Sequence, residues 1–463
     1  MRSLITTVSL SCIGGAVVSG TSAAPGDLVW SYEAGNIVNS SPTVSDGCVY
    51  VGSNDCKVYC LDAATGAFVW SYQTGNTVYS SPAVSDDCVY VGSLDDKVYC
   101  LDAATGAFVW SYQTGDDVFS SPAVRGGYVY VGSVDYKAYC LDAATGSPVW
   151  SYATGDAVYS SPAVSGSCVY VGSSDDKVYC LHAQTGALVW SYQTGVGIRS
   201  SPAVSEGRIY VGSQDGNMYC LDAATGSLVW SYATGNIYNS SPAVNGDYVY
   251  VGSFDDKVYC LDAATGALVW SYQTGSEIVH SSPAVSGGYV YVGSRDDKVY
   301  CLNSATGAHV WSYQTGYYVN SSPAVSGGYV YVGSEDHKVY CLEAGAGDLG
   351  EWPMYRHDPN HTGRATPYSV TDLGPGWNLI GCLRRPDRVQ ELADCVIDEG
   401  SELLWWEDAV TAGIVQHAAY YYIPGVGYGV LATSGGDDDR LRPGVGYWLL
   451  TYQPGMRMLV PVP

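Results

Sequence analysis

The sequence predicts an all-β fold, an eight-bladed β-propeller of four-stranded antiparallel blades, followed by a small C-terminal β-rich domain. The first observation is a unit of 40 residues that occurs eight times, with one added residue between Gly275 and Ser282. The second is that each unit contains four short apolar segments separated by Gly, Asp and Ser, which is typical of strands joined as hairpins. Four antiparallel strands per unit favour a propeller over the alternative, a β-solenoid, whose rungs are shorter and parallel.

Residues 1–23 have the composition of a secretory signal peptide. One arginine precedes a mildly apolar stretch, and Thr21 and Ala23 are placed for cleavage after Ala23. The rest of the sequence contains no run of about 20 apolar residues, so we predict no transmembrane helix. We therefore expect a secreted or cell-envelope protein, extracellular or periplasmic, with association to the envelope as an open question.

The repeat should form the propeller over residues 27–348. The unit Ser80–Gly115 shows its four strands as the segments SPAV, CVYVGS, KVYCL and FVWSY. The turns between them read SDD, LDD and DAATGA. Because no segment has the length or the 3.6-residue period of a helix, every blade should be a meander of four strands.

The two ends of the repeat indicate how the ring closes. The chain enters the repeat with GDLVWSYEAG, Gly26–Gly35, which is a fourth strand without the first three, while the last unit supplies three strands over 321–343. Pairing the two removes two open edges, so we predict closure by the N-terminal strand. The alternative is a fourth strand at Trp352, 41 residues after Trp311, but Pro353 lacks the donor that a strand pairing needs.

The repeated residues resemble a known family. The run Ala64, Thr65, Gly66 and Trp70 and the longer pattern SSPAV…VYVGS…KVYCLDAATGA.VW resemble the PQQ-like repeat of quinoprotein-type, BamB-like β-propellers. The resemblance covers roughly residues 27–343 and implies the propeller fold. It does not imply one activity, because propellers host many unrelated functions.

The same resemblance raises a PQQ-dependent oxidoreductase or a quinone-binding sensor as the alternative function. Quinoprotein alcohol dehydrogenases of this family have a vicinal Cys-Cys pair beside the cofactor and place their ligands in insertions, whereas this sequence has no CC pair and almost no insertions. It also contains no CxxCH haem site, no G-x-S-x-G elbow and no P-loop. We therefore predict no enzyme, no catalytic residues, no metal and no cofactor, PQQ being unsupported by the site residues.

The charge of the chain excludes one class of partner. Lys and Arg total 20 against 45 Asp and Glu, a formal net charge of −25. A field of this sign repels phosphate backbones, so we predict no nucleic-acid partner. Much of the acidic excess is explained by turn-forming Asp repeated eight times on a solvated surface.

The eight copies differ from one another mainly on one face, which carries the loops before the first strand and between the second and third strands. Residues just before the innermost strand should surround the mouth of the axial channel. A ring of mixed Asn, aromatic, Arg and His side chains is typical of recognition surfaces, although drift at unconstrained positions is the alternative. The predicted binding residues are Asn39, Tyr79, Phe119, Tyr159, Arg199, Asn239, His280 and Asn320. The variable residues of the hairpin loops on this face are Asn54, Leu94, Val134, Ser174, Gln214, Phe254, Arg295 and Glu335.

One cysteine recurs on the third strand of every unit. Because facing sheets stand about 10 Å apart and a disulfide needs Cα atoms within about 7 Å, these thiols should not bridge one another. We predict that they pack as small buried apolar groups. In three blades a cysteine on the neighbouring strand leaves a disulfide open as an alternative. The repeated cysteines are Cys60, Cys100, Cys140, Cys180, Cys220, Cys260, Cys301 and Cys341, and the neighbouring ones are Cys48, Cys88 and Cys168.

Two acidic patterns could suggest metal sites. Asp62 and its equivalents should instead accept hydrogen bonds from turn amides, and the hairpin series from Asp55 to Asp336 offers too few oxygens per loop for calcium. His357, Asp358 and His361 lie close together, but we interpret residues 349–367 as a linker or clasp.

Residues 368–463 leave the repeat and should form the small β-rich C-terminal domain. Short apolar segments alternate with Gly and Pro turns, and apolar spacing after Pro386 predicts one short helix. Carbohydrate binding by Trp405, Trp406 or Tyr420–Tyr422 is an alternative to core packing of these aromatics, and a Cys382–Cys395 disulfide is open.

These observations favour an exported, non-catalytic β-propeller that serves as a protein- or ligand-binding scaffold through its variable face. The partner at that face, an unknown protein or small ligand, is not identified by any motif in the sequence.

Overall fold

The computed structural model describes residues 24–345 and Met354, together with short backbone strands within 350–352 and 370–458. The predicted signal peptide, residues 1–23, lies outside the described residues. No helix in the described part of the chain combines the length and apolarity needed to cross a membrane.

Eight antiparallel four-stranded sheets form the propeller, as predicted, and we number the blades 1 to 8 by their innermost strands. The innermost strands are β2 Thr43–Ser45, β6 Ala83–Ser85, β10 Ala123–Arg125, β14 Ala163–Ser165, β18 Ala203–Ser205, β22 Ala243–Asn245, β26 Ala284–Ser286 and β30 Ala324–Ser326. The second strands are β3 Cys48–Ser53, β7 Cys88–Ser93, β11 Tyr128–Ser133, β15 Cys168–Gly172, β19 Arg208–Gly212, β23 Tyr248–Gly252, β27 Tyr289–Ser294 and β31 Tyr329–Gly333.

The two outer strands of each blade complete the meander. The third strands are β4 Lys57–Asp62, β8 Lys97–Asp102, β12 Lys137–Asp142, β16 Lys177–His182, β20 Asn217–Asp222, β24 Lys257–Asp262, β28 Lys298–Asn303 and β32 Lys338–Glu343. The outermost strands are β5 Phe68–Gln73, β9 Phe108–Gln113, β13 Pro148–Ala153, β17 Leu188–Gln193, β21 Leu228–Ala233, β25 Leu268–Gln273, β29 His309–Gln314 and, for blade 8, β1 Leu28–Glu33.

The ring is closed by the N-terminal strand, which confirms the prediction. Strand β1 pairs antiparallel with β32, and Trp30 stands opposite Cys341 in that pairing. The Trp30 indole N–H donates to the carbonyl of Ala63 in blade 1 at 3.0 Å, and an equivalent tryptophan bond joins the blades at all eight junctions. Gly66 permits this docking, because a Cβ there would lie 2.6 Å from the Trp30 ring.

The hydrophobic core lies between neighbouring blades. In the cluster between blades 1 and 2, Cys60 is fully buried beside Trp70 and Val89. All eight repeated cysteines are buried free thiols, which confirms packing as their role, and Cys48, Cys88 and Cys168 are also free. Burial raises the pKa of Cys140 to about 12, so it stays a neutral thiol at physiological pH.

A short strand occupies the axial channel. Strand β33, Gly350–Trp352, pairs with β26, so that Trp352 stands opposite Val285. Because the other edge of β26 pairs with β27, β33 must lie on the channel side of blade 7. Met354 is buried among residues of blades 1 and 8. Trp352 therefore does not close the ring, and its strand enters the channel from the end where β26 finishes.

The described strands of the C-terminal region form three antiparallel groups. Their orders are β34-β35-β42-β39-β40, β36-β41 and β38-β37-β43. The prediction of a short helix after Pro386 is wrong at Gln390–Glu391, because these residues form a strand that pairs antiparallel with Arg440–Leu441. The strands are β34 Val370–Thr371, β35 Trp377–Ile380, β36 Gln390–Glu391, β37 Val396–Asp398, β38 Leu403–Trp405, β39 Tyr420–Ile423, β40 Gly427–Val430, β41 Arg440–Leu441, β42 Gly446–Leu450 and β43 Arg457–Met458.

Candidate functional site

A closed ring of serine hydrogen bonds underlies the candidate site. In every blade the second serine of the SSP motif donates its backbone N–H to the side-chain oxygen of the same serine in the next blade, at 2.8–3.0 Å. The last bond runs from Ser322 to Ser41 and completes the circle. The ring holds the residue just before each SSP motif at a fixed position around the channel axis.

A cavity of about 650 Å³ lies above this ring, and we call it the channel-mouth cavity. All eight binding residues predicted from the sequence line it. From the variable hairpin loops only three of the eight named residues do so, namely Phe254, Arg295 and Glu335. The full lining is Asn39, Ser41, Tyr79, Ser81, Phe119, Ser121, Tyr159, Ser161, Arg199, Ser201, Tyr238, Asn239, Phe254, Val279, His280, Arg295, Asn320, Ser322 and Glu335.

Three aromatic rings from blades 2, 3 and 4 form one wall of the cavity, which we call the aromatic arc. The centroids of Tyr79 and Phe119 lie 5.5 Å apart, and those of Phe119 and Tyr159 lie 5.4 Å apart. Tilted contacts at this distance are favourable for aromatic pairs and hold each ring in place. The arc therefore offers an ordered apolar surface.

Arg199 of blade 5 stands at the end of the aromatic arc. Its guanidinium carbon lies 4.1 Å from the ring centroid of Tyr159 and 5.0 Å from that of Tyr238. The Arg199 Nη1 group also donates a hydrogen bond to the Tyr238 hydroxyl at 2.9 Å. Contacts with two aromatic rings orient the guanidinium and limit its freedom of movement.

The loops of blades 6 and 7 break the eightfold repeat. In blade 6, Gly235 has a positive φ of 82°. Ile237 occupies the buried position that valine holds in most blades, so Tyr238 is displaced into the cavity. In blade 7, Ile278 occupies that buried position, and the added residue displaces Val279 into the lining of the cavity. A hydrogen bond joins the two loops, because the backbone N–H of Asn239 donates to the backbone carbonyl of Val279 at 3.1 Å.

His280 lies beside this pair of loops. Its Nδ1 is 2.7 Å from Asn239 Nδ2, and its ring meets Tyr238 edge-on with centroids 6.0 Å apart. Burial, together with the positive charges of Arg295 and Arg199, lowers the pKa of His280 to about 4. The imidazole is therefore neutral at physiological pH, and both charges that act on it come from cavity arginines.

Arg295 belongs to the hairpin loop of blade 7 and faces blade 8. Its guanidinium carbon lies 5.7 Å from the Tyr318 ring centroid, and its Nε donates to Asn320 Oδ1 at 3.3 Å. Asn320 in turn donates to Glu335 Oε1 at 2.6 Å. The chain of contacts places a cation, an amide and a carboxylate on the side of the cavity opposite the aromatic arc.

Sequence comparison of the blades missed Tyr238 and the serine ring. The blade 6 loop has the usual length, so only the replacement of a buried valine by tyrosine could have indicated the bulge. The serine ring could not be recognised from differences between the blades, because its residues are identical in all eight. Asn39, which it did find, has a buried side-chain oxygen without a hydrogen-bond partner among the described residues.

The repeated carboxylates have structural partners. Asp62 accepts hydrogen bonds from the N–H and hydroxyl of Thr65, which lowers its pKa and agrees with the predicted turn role. Asp55 accepts from the Gly35 N–H at 3.1 Å and from the Tyr59 hydroxyl. It therefore joins blades 8 and 1.

Asp96, Asp116 and Asp117 form one further acidic group in blades 2 and 3. Their carboxylate oxygens lie within 4.8 Å of one another. Repulsion from the other two carboxylates adds to burial in raising the pKa of Asp117. Exposed acidic clusters of this kind are common on acidic surfaces, and the sequence did not single this one out.

Comparison with protein families gives one match over most of the propeller. The family model described as outer membrane protein assembly factor BamB, a PQQ-repeat model, matches residues 14–157, 139–276 and 235–356. A search of curated protein sequences gives no match.

Comparison with solved structures gives many similar folds. BamB from Moraxella catarrhalis is 21% identical, with a TM-score of 0.60, over 68% of this chain and 99% of that chain. The computationally designed protein Ika8 is 20% identical, with a TM-score of 0.63, over 69% of this chain and 100% of that chain. Quinohemoprotein alcohol dehydrogenase from Comamonas testosteroni is 17% identical, with a TM-score of 0.59, over 69% of this chain and 76% of that chain. Identities this low establish similarity of fold alone.

Proposed function

Because the chain belongs to the PQQ-repeat propeller family described as outer membrane protein assembly factor BamB, we propose that it is an exported, non-catalytic scaffold that binds a partner at the channel-mouth face. The partner is a protein or a small ligand of the cell envelope. The family description supports a role in assembly or binding, and the predicted signal peptide supports export.

The observation that supports this function most strongly is where the eight blades differ. The blades are nearly identical in their cores and in the turns of the opposite face, yet the lining of the channel-mouth cavity contains aromatic, amide, basic and acidic side chains. Concave sites that combine apolar walls with a few polar groups are typical of ligand binding. Tyr and Arg, which line this cavity, are also enriched among residues that dominate binding energy.

The test replaces Tyr79, Phe119, Tyr159 and Arg199 together by Asn. Asn occupies the same position in blades 1, 6 and 8, so the replacements are compatible with the repeat. We expect tagged wild-type protein to retain a defined partner from the native envelope, and the variant to lose it while its thermal unfolding stays cooperative.

A matched control replaces four exposed residues of the outer rim, Phe68, Phe108, Leu188 and Leu228, by Asn. These side chains are 46–53% exposed on outermost strands, outside the lining of the cavity. Capture that survives the cavity variant but not the rim variant would contradict the assignment of the face.

A quinone-dependent oxidoreductase is the second candidate, supported by the fold similarity to the alcohol dehydrogenase. The lining residues do not fit a calcium–quinone centre, because calcium takes about six to eight oxygen ligands, whereas the cavity has one carboxylate, Glu335, already bonded to Asn320. Calcium should therefore make no difference to any effect of the quinone on the absorption spectrum or on the melting temperature. A calcium-dependent change in both would favour this candidate.

A further inference from the structure

We propose that the channel-mouth cavity binds a small carboxylate with an aromatic body. The inference rests on the proposed binding function and names the class of ligand. It follows from the way the cavity divides into two unlike halves. The aromatic arc of blades 2 to 4 forms one half, and Arg199, His280 and Arg295 of blades 5 to 7 form the other.

The two arginines of the cavity lack anionic partners. Neither guanidinium forms an ion pair with a carboxylate in the part of the chain that the structure describes. Lysine–carboxylate pairs do occur there, for example Lys137–Asp135 and Lys257–Asp255. Glu335, the carboxylate of the lining, is bonded to Asn320 instead. In a chain with a formal net charge of −25, two unpaired cations in one cavity are a marked local exception. Unpaired cations that converge on a cavity favour an anionic occupant.

The arrangement of Arg199 suits a carboxylate. Tyr159 and Tyr238 are in contact with its guanidinium at 4.1 Å and 5.0 Å. One Nη is used by the Tyr238 hydroxyl, and the remaining N–H groups lie in the guanidinium plane. A planar fork of donors matches the two oxygens of a carboxylate, which can accept two parallel hydrogen bonds.

The second cation faces the same region. Arg199, Arg295 and His280 all line the cavity, and the positive charge of each arginine adds to burial in lowering the pKa of the histidine. Aromatic contacts hold Arg199, and contacts with Tyr318 and Asn320 hold Arg295. An anion in the cavity would therefore be attracted by two ordered positive charges.

The aromatic arc specifies the rest of the ligand. Tyr159 contacts both Phe119 and Arg199, so the aromatic arc lies directly beside the guanidinium group. A ligand that places its carboxylate at Arg199 would lay its body along Phe119 and Tyr79, where stacking with an aromatic ring is favourable. The volume of about 650 Å³ suits a small molecule.

The experiment titrates the whole protein with 2-naphthoate and, in parallel, with the uncharged isostere 2-naphthamide, followed by ligand fluorescence and calorimetry. The net charge of −25 disfavours non-specific adsorption of the anion. We expect saturable binding of one naphthoate per chain, with an affinity about tenfold or more above that of the amide.

Three variants assign the binding to the cavity. Arg199→Gln should weaken naphthoate binding about tenfold or more while leaving the weak amide binding unchanged. Phe119→Asn should weaken both ligands, since the arc contacts their common ring. The control, Arg125→Gln, removes the same charge at the opposite face, where Arg125 Nη1 donates to the Gly166 carbonyl, and should change neither affinity.

Equal affinities for acid and amide, or naphthoate binding that is unaffected by Arg199→Gln, would overturn the inference. A separate arm uses an acidic hexapeptide of Asp and Glu without aromatic residues. Arg199-dependent binding of that peptide, with no binding of naphthoate, would reject the small-molecule class but leave the proposed function of the face intact. Loss of partner capture in the fourfold variant tests that function independently.

Discussion

His280 shows at the scale of single residues how the binding face departs from the repeat. Asn stands at the equivalent position in three blades, whereas blade 7 has a histidine there and an added residue in the same loop. The ring is packed against Tyr238 and bonded to Asn239, with Arg295 and Arg199 as the charged groups acting on it. A titratable group held neutral in this way should make stability depend on pH.

Folding lowers the pKa of His280 from 6.5 to about 4. Between these values the unfolded chain binds more protons than the folded chain, so the contribution of this group to stability is complete above pH 6.5 and falls as the pH drops toward 4. Acidification from pH 7 to 4.5 should therefore cost about 2 to 3 kcal/mol through His280. We expect His280→Asn to remove that part of the pH dependence.

Urea unfolding of wild type and His280→Asn at both pH values measures the difference. The other acid-sensitive groups are shared by the two proteins, so they cancel in the comparison. Equal losses of stability on acidification in both proteins would show that the histidine is not held neutral.

At the scale of elements, the serine ring is the structure that positions the cavity residues. Ser81 is 4% exposed, and its side-chain oxygen accepts the backbone N–H of Ser41. Ser81→Ala should leave that buried N–H without a partner and lower the free energy of unfolding by about 1 to 3 kcal/mol. Chemical denaturation measures the loss.

Ser71→Ala provides the matched control, because Ser71 is exposed on an outermost strand. It should change the unfolding free energy by less than about 0.5 kcal/mol. If both substitutions have the same small effect, then the serine ring does not hold the blades together.

The number of blades and the order of strands within a blade could be predicted because the same pattern occurs eight times in the sequence. Ring closure could be predicted from the two incomplete units, the fourth strand at Trp30 and the missing one after 343. The pairing of Gly350–Trp352 with β26 could not be predicted, since it depends on which unpaired innermost edge the chain meets in the channel. Register inside a blade is fixed by local hairpins, whereas this contact is long-range.

At the scale of the whole molecule, the position of the eight variable residues followed from strand alternation alone. The bulge that displaces Tyr238 did not, because blade 6 keeps the usual length and the change lies in the positive φ of Gly235. Nor could the sequence show that Arg199 and Arg295 act on one histidine, since that depends on how the loops of blades 5 to 7 meet across the channel.

The molecule therefore combines a regular frame with one irregular face. Seven of the eight glycines that follow the outermost strands donate to a hairpin aspartate of the next blade, as Gly75 does to Asp95 at 2.8 Å. The exception among these described junctions is Gly235, at the start of the bulged loop. The irregular loops thus lie at one place on the ring, beside the arginines.

Site-specific photo-crosslinking in the native cell envelope tests the central claim, that this face binds a partner, most directly. A photoreactive phenylalanine replaces Phe119 in the cavity or, as the control, Phe108, which is 52% exposed on the outer rim. Binding at the channel-mouth face predicts a discrete crosslinked product at position 119, lost on Arg199→Gln, and none at 108. Crosslinks at 108 with none at 119 would contradict it.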